Sequence, residues 1–278
     1  MKYSSVDLHC HSTFSDGTLT PEELVDRAYQ NGVRLWSLTD HDEISGQERA
    51  AQAARQVGMD YVTGIEISVT WADRTLHIVG LGYDLKNQAM AEGLNRIRED
   101  RGNRARLMGE KLAHLGIHGA YEGALALAGN PDLLSRTHFA RYVVEQGQCH
   151  HTQEVFDKYL ADGKPAYVAG AWATLPEAVE WITQAGGTAV IAHPGRYKYS
   201  SNEFSNLFKS FKLLGGKGLE VVTGSHTPDQ YLQYANVAKH YDFLASCGSD
   251  FHSPEESRMD LGRLPELPTG LKPVWEYL

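Results

Sequence analysis

Val6-Asp7-Leu8-His9-Cys10-His11-Ser12-Thr13-Phe14-Ser15-Asp16-Gly17 is the stretch on which the reading of this chain turns. Side chains alternate across a β-strand, so His9 and His11 share one face while Leu8 and Cys10 point to the other. Two imidazoles on one face at a strand end suit a single metal ion. The turn that follows presents Asp16, a hard oxygen ligand, just before Gly17. Alone, a His-x-His pair is a weak signal, compatible also with two surface histidines on an edge strand. The rest of the chain decides between these readings.

Outward from this strand, residues 1 to about 85 follow the order strand, helix, strand, helix, strand, strand. Pro21 opens a helix with Thr20 as its N-cap and Glu23 at the capping-box position, and Gly32 ends it. The apolar run 35–39 stops at Asp40-His41-Asp42. A second helix is expected over about 46–57, ending near Gly58, and strands over 61–67 and 76–82. Strands alternating with helices of this length indicate parallel βα units. From about Asn87 to Pro165 the chain turns helical and polar. It holds the arginine row Arg96, Arg98, Arg101, Arg104 and Arg106, and then Ser135-Arg136-Thr137-His138-Phe139-Ala140-Arg141-Tyr142. The βα rhythm resumes with a helix at 176–185, a strand at 188–192 ending on His193-Pro194, and a strand at 218–222. A helix at 228–240 then leads to a run at 243–247 that ends on Gly248-Ser249-Asp250-Phe251-His252. The expected organisation is an α/β domain from 1–86 and 166–278, with a helical insertion at 87–165.

The 278 residues are 42% hydrophobic and 22% charged, enough for one large domain with an insertion. A net charge of −9 argues against non-specific nucleic-acid binding through a globally basic surface. The carboxylate excess and 13 histidines suit a site for divalent cations. No apolar run reaches membrane-spanning length, and the start lacks a signal-peptide core. Cys10, Cys149 and Cys247 have no metal-type spacing and read as reduced, buried thiols of a cytoplasmic protein.

His9, His11, Asp16, His41, Glu66, His77, His193, Asp250 and His252 are the candidate ligands. Almost all stand at or just past the C-terminal end of an apolar run, which in a barrel of parallel strands forms one rim. Asp250 and His252 share parity, as His9 and His11 do. Each residue has a structural reading of its own: His77 as a satisfied core histidine, His193-Pro194 as a turn. Nine such residues repeatedly at strand ends do not suit independent chance. Imidazole plus carboxylate without thiolate permits Mn²⁺, Fe²⁺ or Zn²⁺, and nine ligands suit two or three ions. Clustered divalent ions generate hydroxide near neutral pH and neutralise a phosphoryl oxygen, although the ligands alone would also allow amide hydrolysis.

The motifs Asp7-Leu8-His9-Cys10-His11-Ser12, Thr39-Asp40-His41-Asp42, Glu66, His77, Ala192-His193-Pro194 and Asp250-x-His252 resemble those of the PHP (polymerase and histidinol phosphatase) superfamily over essentially the whole chain. That resemblance implies a distorted seven-stranded β/α barrel with a metal cluster at its rim, most often Mn²⁺. It implies one ion on His9, His11, Glu66 and Asp250, a second on Glu66, His77 and His193, and a third on Asp16, His41 and His252. Asp16 stands where some members have histidine.

Arg136-x-His138-x-Ala140-Arg141, followed by Lys164-Pro165-Ala166-Tyr167-Val168, is similar to the branch containing nucleoside 3′,5′-bisphosphate phosphatases and a bacterial 5′→3′ exoribonuclease. This implies a metal-dependent phosphoesterase acting on the 3′ side of a 5′-phosphorylated nucleotide or short RNA, without a membrane or an obligate protein partner. His138 and Arg141 share a helix face, and Arg136 lies near that helix's start. With Arg196 they are the expected substrate-phosphate residues. Asp250, His193 and His252 are the expected catalytic residues, with either histidine a proton donor if metal leaves it free. The arginine row at 96–106 reads either as a solvated helix face, with Glu92, Glu99 and Asp100 interleaved, or as an RNA-backbone contact. A histidinol-phosphate or other sugar-phosphate phosphatase is the rival enzyme. A non-catalytic metal-binding module is the rival of another class, against which the full ligand set and an expected whole-protein chain count.

Overall fold

The computed structural model describes Tyr3 and residues 5–278. In chain order the elements are β1 (Val6–Asp7), α1 (Pro21–Gln30), β2 (Leu35–Trp36), α2 (Gln47–Val57), β3 (Asp60–Tyr61), β4 (Gly64–Trp71) and β5 (Arg74–Leu81). The helices α3 (Gln88–His114), α4 (Ala120–Leu127), α5 (Arg136–Glu145) and α6 (Thr152–Val155) follow. Then come β6 (Ala173–Thr174), α7 (Leu175–Gln184), β7 (Thr188–Ile191), α8 (Ser201–Leu213), β8 (Gly218–Thr223), α9 (Pro228–Tyr241) and β9 (Leu244–Gly248). Local chemistry sets the helix starts. Thr20 Oγ1 accepts the N–H of Glu23 and Glu23 Oε2 accepts the N–H of Thr20, the reciprocal box expected at α1. The same box opens α8, on Ser200 and Glu203, a helix that the sequence reading passed over. Gly58, in the left-handed region at φ 73°, closes α2 as expected.

The strands form a parallel three-stranded sheet, β1-β2-β3, and a six-stranded sheet ordered β6-β4-β5-β7-β8-β9. Backbone hydrogen bonds join the two sheets at two places. Leu8 N–H donates to Cys247 O (3.0 Å) and Asp250 N–H to His9 O (2.8 Å), which links β1 and its continuation to β9. Asp42 N–H donates to Glu66 O (3.0 Å) and Glu66 N–H to Asp40 O (3.2 Å), which links the continuation of β2 to β4. The segments β1, β2, β4, β5, β7, β8 and β9 therefore follow one another in a closed cycle.

Two expectations need correction. The strand read over 61–67 is two strands, β3 and β4. The wholly parallel arrangement fails at β5, which is antiparallel to both β4 and β7. Glu66 and His77 consequently lie inside their strands rather than at C-terminal ends, and the reversal of β5 still brings His77 to the same rim.

The main core lies inside and around the cycle, with Leu8, Ile65, Ile67, Val79, Val190 and Leu219 fully buried. A separate core lies within the segment read as an insertion, where Met108, Leu112, Phe139, Val143 and Leu160 pack together. The helix α3 belongs to both: Met90, Leu94 and Ile97 join the main core, while Ala105, Met108 and Leu112 join the second. Among the described residues, no helix is long and apolar enough to cross a membrane.

Candidate active site

Close packing of β1 on β9 sets the position of the first ligands. A Cβ on Gly248 would stand 2.2 Å from the Cβ of His9, so only glycine permits this approach. His9 and His11 are fully buried here, and Asp250 faces them. The turn carrying Asp16 is pinned by Asp40, whose carboxylate accepts from Ser12 N–H (2.7 Å), Ser12 Oγ (2.7 Å) and Ser15 Oγ (2.6 Å). His193 (φ 27°) and Asp250 (φ 55°) hold positive φ, a strain of about 1–3 kcal/mol each that persists only where surroundings enforce it. Those surroundings are visible: His193 N–H donates to Glu220 Oε2 (2.6 Å), Asp250 N–H to His9 O (2.8 Å), and the neighbouring Ser249 N–H to Asp7 Oδ1 (2.8 Å).

Glu66 stands at the centre. Its Oε2 lies 3.3 Å from both His9 Nε2 and His11 Nε2 and 2.9 Å from His41 Nδ1. Its Oε1 lies 2.9 Å from His77 Nδ1 and 2.8 Å from His193 Nε2. Asp250 Oδ1 is 3.4 Å from His11 Nε2, and Asp16 Oδ1 is 3.4 Å from His252 Nε2 and 3.9 Å from His41 Nε2. All nine candidate ligands thus converge, in overlapping groups whose donor atoms lie within 4.8 Å of one another.

The donor set fits divalent cations. Donor atoms around one ion at bonds of about 2.0–2.2 Å stand roughly 3–3.5 Å apart, and the separations here run from 2.8 to 3.9 Å around that spacing. Asp16 Oδ1, His41 Nδ1, Glu66 Oε2, His77 Nδ1 and Asp250 Oδ1 are buried yet make no hydrogen bond among the described residues. Such atoms, aimed at common points without hydrogen-bond geometry, are what a cation between them would satisfy. Burial opposes the charges of Glu66, Asp16 and Asp250, but the surrounding imidazoles outweigh it and hold all three well below the usual carboxylate range. Burial also opposes charge on His9 and His11. Glu220 and Glu66 nonetheless raise His9 well above the usual value, and Asp250 and Glu66 push His11 up to about 9. Burial dominates at His41 and His193 and lowers both to about 4.

Beside the cluster lies a small, partly open cavity of about 110 Å³. Asp16, His41, His77 and His252 form one wall, and Arg101, Arg104 and Arg136 form another. Arg101 is paired with Asp42 and also donates to Ser68 Oγ (3.0 Å). Arg104 donates to Val168 O (2.8 Å) and lies 5.2 Å over Trp172. Arg136 reaches the carbonyl of Leu160 at 3.5 Å and lies over Phe156 and Tyr167. Neither Arg104 nor Arg136 has a carboxylate partner among the described residues. Burial, reinforced by neighbouring arginines, lowers Arg104 to about 9 and Arg136 below the usual range. Arg104 is buried and Arg136 part-buried, and cations placed so without an ion-pair partner are costly unless an anion enters between them.

The family model for the PHP domain matches residues 7–161, more than half of the chain. The chain belongs to the PHP family. Its match to a 3′,5′-nucleoside bisphosphate phosphatase of Chromobacterium violaceum is 46% identical over 275 residues, 99% of this chain and 96% of that protein. A 5′-3′ exoribonuclease of Haemophilus influenzae is 44% identical over 270 residues, 97% of each. A solved structure of a C. violaceum protein described as an amidohydrolase, with bound SO4 and no metal, superposes with a TM-score of 0.95 at 46% identity, covering 99% of this chain and 95% of that one.

Within this PHP chain the expected phosphate residues part company. Arg136 lines the arginine cavity, and Arg196 lines it too while its Nη1 donates to Asp250 Oδ2 (2.9 Å). His138 does not line it: the ring is buried, and Nδ1 accepts the N–H of Ser135 (3.1 Å), capping α5. Burial lowers His138 to about 4. Arg141 is engaged by both oxygens of Glu256, at 3.0 and 2.6 Å. The arginine row is neither a uniformly solvated face nor a continuous strip. Arg96 pairs with Glu177 and Arg106 lies over Tyr121, while Arg101 and Arg104 turn inward to the mouth. Their three-residue spacing was the available signal.

Sequence reasoning also missed Glu220. Its Oε1 accepts from His9 Nδ1 (2.7 Å) while its Oε2 holds His193 N–H. A carboxylate inside the otherwise apolar strand β8 was the clue. A buried imidazole at His226 supports the turn after His193, accepting the N–H of Gly195 (2.9 Å).

Proposed function

We propose that this chain is a metal-dependent phosphoesterase that hydrolyses the 3′ phosphoester of 5′-phosphorylated nucleotides. A nucleoside 3′,5′-bisphosphate would give a 5′-mononucleotide and phosphate, and a short 5′-phosphorylated RNA would release mononucleotides from its 5′ end. The observation that carries this reading is one mouth lined on one hand by a nine-residue candidate ligand cluster and on the other by two arginines, Arg104 and Arg136, without ion-pair partners among the described residues. A substrate with two phosphates at fixed spacing matches both. A phosphate monoester of a sugar alcohol would leave the arginine wall unanswered.

His9, His11, Glu66 and Asp250 would hold one ion, Glu66, His77 and His193 a second, and Asp16, His41 and His252 a third. Imidazole with carboxylate suits Mn²⁺, with Fe²⁺ and Zn²⁺ as rivals. Bound ions would lower the pKa of a water molecule and neutralise a phosphoryl oxygen. The chain's own residues do the rest. Arg104 and Arg136, on the helical segment 87–165 read as an insertion, bind the 5′-phosphate and so fix the 3′ phosphoester over the cluster. Glu220 sets the ring of His9 through Nδ1, leaving Nε2 toward the cluster. His252 lies with Nδ1 2.9 Å from Asp250 O. A proton kept there leaves the Nε2 lone pair toward Asp16, the posture of a ligand rather than of an acid. Three buried free cysteines fit a reducing, cytoplasmic setting.

Product analysis by mass spectrometry tests the reading. Mn²⁺-loaded protein would meet adenosine 3′,5′-bisphosphate, a 5′-phosphorylated oligoribonucleotide and its 5′-hydroxyl counterpart. AMP from the first, or stepwise mononucleotides from the second in preference to the third, is expected. Hydrolysis of histidinol phosphate with no nucleotide turnover would sink the proposal. With Arg104→Ala and Arg136→Ala, the preference for a 5′-phosphate should fall by roughly tenfold or more, given the strength of charge-assisted phosphate contacts. An unchanged preference would remove the 5′-phosphate role.

A further inference from the structure

Two larger cavities open on either side of Arg196, which lines both. One, about 490 Å³, is lined by Arg74, Arg136, Tyr167, Tyr197, Lys198 and Tyr199. The other, about 420 Å³, is lined by Gly224, Ser225, Ser249, Asp250, His252 and Arg258. The first is aromatic and mainly cationic, with Asp162 also on its lining. The second is small-residue and polar, and Ser225 brings to it a buried hydroxyl without a hydrogen-bond partner among the described residues. The two also differ in what they adjoin. The aromatic cavity shares Arg136 with the arginine wall. The polar cavity reaches the ligands Asp250 and His252 and touches none of Arg101, Arg104 and Arg136.

On the reading above, we infer that these cavities divide a 5′-phosphorylated RNA between them. The aromatic cavity holds the departing 5′ nucleotide, and the polar cavity carries the strand beyond the scissile phosphate, with Arg258 against its next phosphodiester. The order of groups along RNA gives the direction. The 5′-phosphate lies at Arg104 and Arg136 and the scissile phosphate at the cluster. The first nucleoside joins them and must lie in space continuous with Arg136. Tyr167, Tyr197 and Tyr199 line it, Tyr167 and Tyr199 each with an arginine over one face, and aromatic rings of this kind stack on any base. The rest of the strand must leave the cluster on the side away from the arginines, where the polar cavity lies. Arg258 is exposed on that side, with no ion-pair or hydrogen-bond partner among the described residues. In the reaction, water oxygen bonds to phosphorus, the P–O3′ bond breaks and the 3′ oxygen takes up a proton. The strand keeps the phosphate as a new 5′-phosphate, which then advances by one nucleotide to the arginine wall.

The experiment compares kcat/KM for adenosine 3′,5′-bisphosphate and a 5′-phosphorylated hexaribonucleotide across a salt series, on the Mn²⁺-loaded full chain. Arg258→Glu should lower the oligonucleotide value by roughly tenfold and reduce its log–log salt slope by about one, with the bisphosphate value within about twofold of the parent. Lys198→Glu, in the cavity of the departing nucleotide, should affect both substrates alike. Thermal unfolding confirms that both variants fold. Selective oligonucleotide loss in Lys198→Glu and not in Arg258→Glu would reverse the assignment, and equal effects of Arg258→Glu on both substrates would overturn it. A parent chain that cleaves the bisphosphate but not the oligonucleotide would overturn the strand path and leave the phosphatase reading intact. No turnover of either substrate by the parent would instead remove the reading on which the inference rests.

Discussion

Glu220 carries two parts of the centre at once, the ring of His9 and the backbone of His193. Glu220→Gln keeps the shape but removes the charge that fixes the His9 tautomer. Metal affinity should fall about 10–100-fold, as for other carboxylates behind a ligating histidine; calorimetric titration with Mn²⁺ measures it, and an unchanged affinity would deny Glu220 this part. A second prediction concerns protons. In the metal-free protein His11, pushed up to about 9, and His9, well above the usual value, both carry a proton at pH 7. Ligation needs their lone pairs, so Mn²⁺ binding at pH 7 should release protons, and the part that His11 contributes should fade as pH rises through about 9. Titration in buffers of different ionisation enthalpy reads this directly, and a buffer-independent heat would count against it. At this scale the candidate ligands stood out because almost all of them interrupt or end an apolar run, which sequence records. The arginines were not. Helical spacing told that His138 and Arg141 share a face but not that one caps its own helix and the other meets Glu256.

Among the elements, the hairpin of β4 and β5 is the least expected from sequence and has a physical reason for being so. Reading strands at 61–67 and 76–82 leaves a gap wide enough to hide a tight turn. The true strands, Gly64–Trp71 and Arg74–Leu81, leave only Ala72 and Asp73 between them, and a two-residue link cannot join parallel neighbours. Ser68, Thr70 and Thr75 disguised the strand ends, since a rim that faces a polar mouth has polar residues where a core-facing strand would be apolar. The helices α1, α2, α7 and α9, by contrast, were legible to within a residue or two, whereas α8 was passed over although a capping box opens it. Ala72 (φ 46°) and Asp73 (φ 58°) both hold positive φ, the conformation that two-residue hairpin turns favour and that Asn-Gly fits best. Replacing them by Ala72→Asn with Asp73→Gly should remove about 1–2 kcal/mol of left-handed strain. For a chain of this size that is a rise of roughly 2–8 °C in Tm. A fall in Tm by differential scanning calorimetry would show that the turn's present side chains matter more than its backbone.

At the scale of the molecule, α3 and a few polar contacts across the mouth join the main apolar core to the one within 87–165. Arg101 pairs with Asp42, Thr137 Oγ1 donates to Asp16 Oδ2 (3.0 Å), and Arg141 grips Glu256. The candidate metal ligands and the arginines Arg104 and Arg136 stand on opposite sides of this junction, so each side carries unbalanced charge of one sign. Cations should relieve the first side and an anion the second. Anything that binds the folded chain alone stabilises it by mass action, about 2.7 kcal/mol at a hundredfold excess over Kd. A chelator should therefore lower Tm, Mn²⁺ should restore it, and inorganic phosphate should raise it further, by roughly 5–10 °C near saturation. The double variant Arg104→Ala with Arg136→Ala separates the two effects. It should keep the response to Mn²⁺, whose ligands it leaves untouched, and lose most of the response to phosphate. It should also start from a higher Tm than the parent in phosphate-free buffer if these cations cost more than their packing on Trp172, Phe156 and Tyr167 returns. Phosphate stabilising the double variant as strongly as the parent would place the anion on the metals alone, and the two-walled mouth would then lose its second wall as a phosphate site.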